Sequence, residues 1–443
     1  MPKSQARGLA LRTLIDYEKR DAYLGVLLSS RLADSGLERR DRALVTELVQ
    51  GTARMKLTLD WTLRSFSKRP LEELESGVLW SLRLAAFQVM FTSIPDYAAV
   101  DMAAQATLDV VGRRAVGYVN AVMRAFAQGC EKISFPDRET DPAAFLEARY
   151  SHPRWIVEMW ISELGVEKAE ALCAADNLNP PLALRTNTLR TSRESLVMAL
   201  EERGMEVEEG TLSPECLLVK GSGPPADLPE FRDGLIAIQD QGAQIVGHQV
   251  DPRPGMRVLD ICAAPGGKAN HLAELMGNEG SVVAVDMNRS RLAMVEQAAN
   301  RLGNTIVRTV AMDARELRGQ LDGDFDRVLV DAPCSGLGTL ARRPDARWRK
   351  RPADVESLAR LQEDLLAAGS EMVSPGGIIV YSTCTISRRE NDGVVEAFLD
   401  SRSGRFEPVA APLLKRANRP YMQLFPDTDS CDGMFAAVLR KKE

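Results

Sequence analysis

Residues 257–268 read Arg-Val-Leu-Asp-Ile-Cys-Ala-Ala-Pro-Gly-Gly-Lys, an apolar run of strand length that breaks on small residues and a glycine pair. From Ala269 to Met276 the spacing turns helical, so the stretch predicts strand, tight turn and helix. Four runs of the same kind follow: SVVAVD (281–286), TIVRTV (305–310), RVLVDAP (327–333) and GIIVYST (377–383). Helical stretches separate them, near 269–277, 289–302, 352–373 and 388–401. Apolar runs alternating with helical stretches predict a doubly wound, mostly parallel sheet, an α/β Rossmann-like domain over 241–443.

Working back toward the N-terminus, Tyr150 to Gln239 is mixed, with strands expected at Leu182–Leu189 and Leu235–Gln239 and a helix after Thr191. A small α+β, RRM-like subdomain over 141–240 fits it. From Ala6 to Ala127 apolar residues keep helical spacing, from Leu9, Leu11, Leu14 and Ile15 to Val116, Val119, Val122, Met123 and Phe126. An all-α domain over 1–140 is expected, closed by the proline-marked polar linker Ser134 to Pro142. Three domains also suit the 443-residue length.

The chain has Lys+Arg 56 against Asp+Glu 62, a net charge of -6. This excludes a protein that coats nucleic acid by bulk positive charge, and any such site must be a local patch. Residues 1–140 are the more basic part, with 20 basic and 17 acidic side chains against 36 and 45 in the remainder. Lys3, Arg7, Arg12, Asp16 and Glu18 interrupt the N-terminus, so no secretion signal is read there. The apolar stretch Gly77 to Ile94 contains Arg83 and Gln88 and stops at Pro95, which predicts a buried helix rather than a membrane span. Seven scattered cysteines without a CxxC pair and three dispersed histidines point to reduced thiols, a cytoplasmic location and no metal.

At the carboxyl end of the first strand, Cys262, Ala263, Ala264, Pro265, Gly266, Gly267 and Lys268 let a ligand approach the backbone. The helix after them offers free N–H groups to an anion such as a carboxylate. The second strand ends at Asp286, twenty residues after Gly266, where an acid accepts hydrogen bonds from ribose hydroxyls. The third is followed by Asp313, beside the place of an adenine. The turn is not GxGxxG, so a nucleoside without a bridging pyrophosphate, such as S-adenosyl-L-methionine, is the expected cofactor.

The fourth strand runs into Asp331-Ala332-Pro333-Cys334-Ser335-Gly336 and the fifth into Ser382-Thr383-Cys384-Thr385. As neighbours in a parallel sheet, these ends lie roughly 5 Å apart and open both thiols into the cofactor crevice. Buried structural cysteine is the competing reading. A thiolate beside a methyl donor suits C5 of a pyrimidine, which becomes nucleophilic only after a thiolate adds at C6. Asp331 is placed to assist at N3 if burial raises its pKa, and the second cysteine, or a water it positions, to remove the C5 proton. The base must be unpaired or flipped out.

Asp260-Ile261-Cys262-Ala263-Ala264-Pro265-Gly266-Gly267-Lys268, Asp331-Ala332-Pro333-Cys334-Ser335-Gly336 and Ser382-Thr383-Cys384-Thr385 together resemble three motifs of the Nop/Sun family of RNA cytosine-C5 methyltransferases. The resemblance implies that Cys384 is the nucleophile and Cys334 helps release the product. It also implies that Cys262 to Lys268, Asp286, Asp313 and Asp331 line an S-adenosyl-L-methionine pocket. Catalysis is then expected of Cys384, Cys334, Asp331 and Lys268. It covers about Tyr150 to the C-terminus, including Ile238 to Gln244 and Asp432-Gly433-Met434-Phe435; Ala269 departs from the family's usual Thr or Ser. The helical region, with Val119-Asn120-Ala121-Val122-Met123-Arg124, is similar to NusB-type RNA-binding domains. The two halves imply an enzyme of small-subunit ribosomal RNA; RNA free of or before full subunit assembly is the expected partner, with no membrane partner, and a monomer is expected.

Arg342, Arg343, Arg347, Arg349, Lys350 and Arg351 surround Trp348 and are opposed only by Asp345. A solvated charged loop is the bland reading. Their position after the Cys334 strand end makes RNA-backbone contact the expectation. The rival function is a non-catalytic RNA-binding assembly factor with a relict methyltransferase fold, against which the intact Asp331, Cys334 and Cys384 stand.

Overall fold

A computed structural model describes the chain except Met1, Asp21, Ser222, Pro224, Asp322 and residues 411–420. It divides into two compact units, Met1–Leu178 with Leu340–Arg349, and Asn179–Thr339 with Lys350–Glu443.

In the first unit, helices Pro2–Lys19, Leu24–Ala33, Arg39–Arg54, Lys56–Arg64, Ser76–Phe91, Asp96–Val110 and Arg113–Gly129 enclose a core that includes Leu11, Leu14, Leu48, Trp80 and Phe126. The apolar stretch ending before Pro95 is the buried helix Ser76–Phe91, and Arg83 within it is neutralised by a bidentate pair with buried Asp60, at 2.7 and 2.8 Å. No described helix is long and apolar enough to cross a membrane. The unit continues past the linker at 134–142. Helices Pro142–Tyr150, Arg154–Leu164 and Val166–Ala175 belong to it, and Leu57 N–H and Thr58 Oγ1 donate to Ser151 Oγ and Arg149 O. A proline-marked polar segment marks a break in secondary structure, and only packing decides whether it separates bodies.

The segment Leu340–Arg349 is the other addition. Asp345 accepts from Leu24 N–H (2.9 Å), Trp348 Nε1 donates to Ala53 O (2.8 Å) and Arg54 to Ala341 O (2.9 Å). The chain therefore leaves the second unit five residues after Cys334 and returns to it at Lys350.

The second unit begins with a four-stranded antiparallel sheet of β1 (Leu182–Thr186), β2 (Glu206–Glu209), β3 (Cys216–Lys220) and β4 (Ile236–Ile238), in the order β2-β3-β1-β4. Leu196 and Leu200 of helix Arg193–Glu202 pack on Leu184, Leu217 and Val219. The large sheet comprises β5 (Arg257–Ile261), β6 (Ser281–Asp286), β7 (Val307–Ala311), β8 (Phe325–Asp331), β9 (Val373–Thr383), β10 (Phe406–Pro408), β11 (Met422–Gln423) and β12 (Phe435–Lys441). Its order is β10-β12-β9-β8-β5-β6-β7, with β11 on β12. β5 to β9 are mutually parallel and β12 is antiparallel to β9, so the sheet is mixed, with the doubly wound reversal between β5 and β8. Such a reversal opens a crevice at the strands' carboxyl ends.

Candidate functional site

β8 and β9 end side by side, with Asp331 opposite Ser382 and Ala332 N–H bonded to Ser382 O at 2.9 Å. The loops leaving them place Cys334 Sγ 3.3 Å from Cys384 Sγ, and Cys384 N–H also points at Cys334 Sγ, at 3.3 Å. The two are thiols in contact, not a disulfide. Hydrogen bonding to Cys384, then burial, raises the Cys334 pKa well above that of an ordinary thiol, so Cys334 holds its proton at neutral pH.

Lys268, in the first turn of helix Gly267–Leu275, donates to Asp331 Oδ2 at 2.8 Å, and Ser382 Oγ donates to Oδ1 at 2.9 Å. Asp331 thus meets a cation and a hydroxyl where the sequence reading supposed desolvation, and the donor of this pair is Lys268. Burial works against the ammonium, but Asp331 and the nearby Cys384 outweigh it and the Lys268 pKa is raised.

The turn before that helix is tightly built. Gly266 has φ +101°, and a Cβ there would lie 2.9 Å from Val295 Cα, so only glycine fits. Cys262 is a non-glycine residue with φ +61°, and burial, then Asp286, pushes its thiol up to about 12. Ala263, Ala264 and Ala269 are buried; Pro265 and Gly267 complete the turn. Asp286 accepts from Asn288 N–H (2.9 Å) and Ala264 N–H (3.3 Å). Asp313 pairs with Arg315, which lowers its pKa. Asp260, at the end of β5, was not singled out by sequence. It is fully buried with neither carboxylate oxygen hydrogen-bonded, and burial, then Asp331, raises its pKa well above the usual range. A buried orphan carboxyl beside a glycine-lined turn and a helix N-terminus fits a ligand carrying both an ammonium and a carboxylate.

The basic cluster does not act as one strip. Within the first unit Arg347 is fully buried, and its guanidinium donates to Ser151 O (3.0 Å), Asn177 Oδ1 (3.1 Å) and Asp176 O (3.3 Å). It is therefore not open to an RNA phosphate. Arg349 donates to Ala22 O and stacks on Tyr23, while Arg342 and Lys350 are partly exposed and Arg343 and Arg351 exposed. Arg347→Met should cost about 1–3 kcal/mol of stability for carbonyls left unpaired, visible as a lowered Tm. Arg343→Ala with Arg351→Ala should leave Tm alone and flatten the log–log salt dependence of RNA binding by about 1.4, two contacts at 0.7 each. Equal salt slopes in the double variant and the parent would remove these two from the RNA contacts.

Two histidines dispersed in sequence meet in the fold, which corrects the expectation that they do not cluster. His248 Nε2 lies 2.9 and 3.1 Å from the two Glu215 oxygens, and His271 Nε2 lies 2.5 Å from Oε1. His248 thus bonds Glu215, and the ligand atoms of all three residues lie within 4.8 Å of one another, a grouping that could hold a metal ion. Burial, then the like charge of Arg185, lowers the His271 pKa to about 4. Burial opposes the Glu215 charge, but the two histidines outweigh it and hold its pKa below the usual range. A histidine depressed in the folded state loses its stabilising effect as pH falls from about 6.5 to about 4, and the carboxylate loses its own below about 4.3. Urea unfolding should therefore show stability declining from pH 6.5 downward, and His271→Gln should flatten the part above pH 4.5. An unchanged slope in that variant would locate the acid sensitivity elsewhere.

Three family models match the chain in succession. Residues 248–440 match the family model for 16S rRNA methyltransferase RsmB/F, residues 4–128 that of the NusB family, and residues 152–224 a ferredoxin-like domain of RsmF/B-like methyltransferases. The chain is 37% identical to the probable ribosomal RNA small subunit methyltransferase B of Bacillus subtilis, over 100% of both. It is 32% identical to ribosomal RNA small subunit methyltransferase B of Escherichia coli, over 91% of each. Among solved structures, that of PH0851 aligns with 100% of this chain and 99% of its own at a TM-score of 0.83 and 26% identity. A methyltransferase homolog from Pyrococcus horikoshii aligns with 67% of this chain and 97% of its own, at 0.58 and 30%.

Proposed function

Since the chain belongs to the 16S rRNA methyltransferase RsmB/F family, we propose that it moves a methyl group from S-adenosyl-L-methionine to C5 of a cytosine in small-subunit ribosomal RNA, through a bond between Cys384 and C6. The observation that carries this reading is the pair of thiols 3.3 Å apart at adjacent parallel strand ends, with the Lys268–Asp331 pair close by.

S-adenosyl-L-methionine, when bound, supplies an electrophilic methyl group. Asp286 is assigned its ribose, Asp313 its adenine side, and Asp260 with the turn Cys262 to Gly267 its amino-acid end. The sulfur of Cys384 adds to C6 and the ring electrons move to C5, while Lys268, held by Asp331, stabilises the charge developing on the base. After C5 is methylated its hydrogen passes as a proton to a water positioned by Cys334, and the C6–S bond breaks as the C5–C6 double bond re-forms, returning Cys384 as the thiolate that attacked. Cys334, a protonated thiol against Cys384, is assigned to this release.

RNA is selected by the NusB-like helices and by Arg342, Arg343, Arg349, Lys350 and Arg351, because a pocket for one base carries too little information to choose one site. A cytoplasmic monomer acting before full subunit assembly is the form proposed. Bisulfite sequencing of 16S ribosomal RNA from a strain lacking the protein, with and without complementation by the intact chain, tests the reading. No cytosine changing state between the two would overturn it.

A further inference from the structure

Glu390 lies six residues beyond Cys384 and is fully buried. Its carboxylate is the meeting point of both cysteine loops. Oε1 accepts from Ser335 N–H (2.7 Å) and Gln362 Nε2 (3.2 Å), and Oε2 from Ser335 Oγ (2.5 Å) and Thr385 Oγ1 (3.3 Å). Ser335 follows Cys334 and Thr385 follows Cys384, so one side chain grips the residue next to each thiol. Gln362 also donates to Pro333 O (2.8 Å), on the other side of Cys334. Asn391 accepts from Thr383 Oγ1 (2.6 Å) and donates to Thr385 O (3.0 Å), holding both residues that flank Cys384.

We propose that Glu390 is a positioning residue whose carboxylate ties the Cys334 loop to the Cys384 loop and thereby fixes the contact between the two thiols. A buried carboxylate is costly unless its oxygens are fully supplied with donors, and here four donors supply them. Burial raises the carboxyl's pKa, and the bonds from Ser335, Gln362 and Thr385 oppose that rise. Its charge also adds to the forces that keep Cys334 protonated.

The chemistry of the donors predicts which substitution rescues. On the Oε1 side both donors are N–H groups, which cannot accept. On the Oε2 side both are hydroxyls, which can turn and accept. Glu390→Gln therefore fits with its amide nitrogen toward the hydroxyls, whereas Glu390→Ala releases both loops.

The test reads the thiol contact directly, in the full-length protein without RNA or cofactor. Diamide takes up the two thiol hydrogens as the Cys334–Cys384 disulfide closes, and closure is followed by peptide mass mapping. Wild type and Glu390→Gln should close at similar rates and Glu390→Ala about tenfold more slowly, the scale of one charge-assisted hydrogen bond. S-adenosyl-L-methionine affinity, measured by calorimetry, should stay unchanged in both variants. If Glu390→Ala does not fold, Thr385→Val, which removes the hydroxyl that meets both Glu390 Oε2 and Ser335 Oγ (2.8 Å), should slow closure in the same sense.

A second readout rests on the covalent reading: Glu390→Ala should accumulate protein–RNA adduct relative to Glu390→Gln, because formation needs Cys384 alone and release needs the pair. Slowed closure without any adduct in any form would leave the positioning role standing and overturn the covalent mechanism. Closure at the wild-type rate in folded Glu390→Ala or Thr385→Val would overturn the positioning role.

Discussion

Cys384→Ala should abolish methyl transfer and leave no denaturation-resistant protein–RNA complex, whereas Cys334→Ala should accumulate that complex and turn over slowly. Loss of a nucleophile from a covalent mechanism costs on the order of 10⁴-fold or more in rate. The two thiols stand 3.3 Å apart but differ in surroundings: Cys334 accepts the Cys384 N–H and has its pKa raised by Cys384 and by burial, while Cys384 lies near the Lys268 ammonium. A protonated Cys334 is a poor attacking group and suits release. Denaturing gels of both variants with substrate RNA make the check. An adduct in Cys384→Ala that disappears in Cys334→Ala would reverse the roles.

Lys268→Met should reduce kcat/KM by about 10²- to 10³-fold. The side chain is the cation bonded to Asp331, and its charge interacts favourably with Asp260; Asp286 adds to the negative charge around Asp260. The pair is only partly buried; removing one donor that stabilises charge developing on the reacting group costs roughly 2.7–4 kcal/mol, and each 1.4 kcal/mol is a decade of rate. The raised Lys268 pKa gives the sign of the pH effect: its contribution is fully present below about pH 10.4 and is lost only at more alkaline pH. Activity near neutrality should therefore not titrate through this lysine. Single-turnover rates for Lys268→Met and Asp331→Asn, alone and combined, check the coupling, and simply additive losses would show that the two act independently.

What the sequence by itself determined was local. The runs 257–261, 281–286 and 327–331 announce strands because a two-residue alternation or an unbroken apolar run is a property of neighbours along the chain, and the structure has strands at all three. The helices after them and the helical first region follow from the 3.6-residue period in the same way. The motif at 260–268 and the two cysteine motifs were legible because their residues are contiguous. Only tertiary structure decided what depends on residues far apart. The small sheet's β2 and β3 carry few distinguishing residues and exist through pairing, β3 with β1 and β2 with β3. Arg347 looks like any member of a basic run, yet Ser151, Asp176 and Asn177 take up its charge from about 170 to 196 positions away. Glu215 meets histidines 33 and 56 residues later, and Glu390 reaches back 55 residues to Ser335. A pattern along the chain reports which face of an element is apolar; it holds no information about which distant polar group will be brought to that face, because that is set by the order in which the strands assemble.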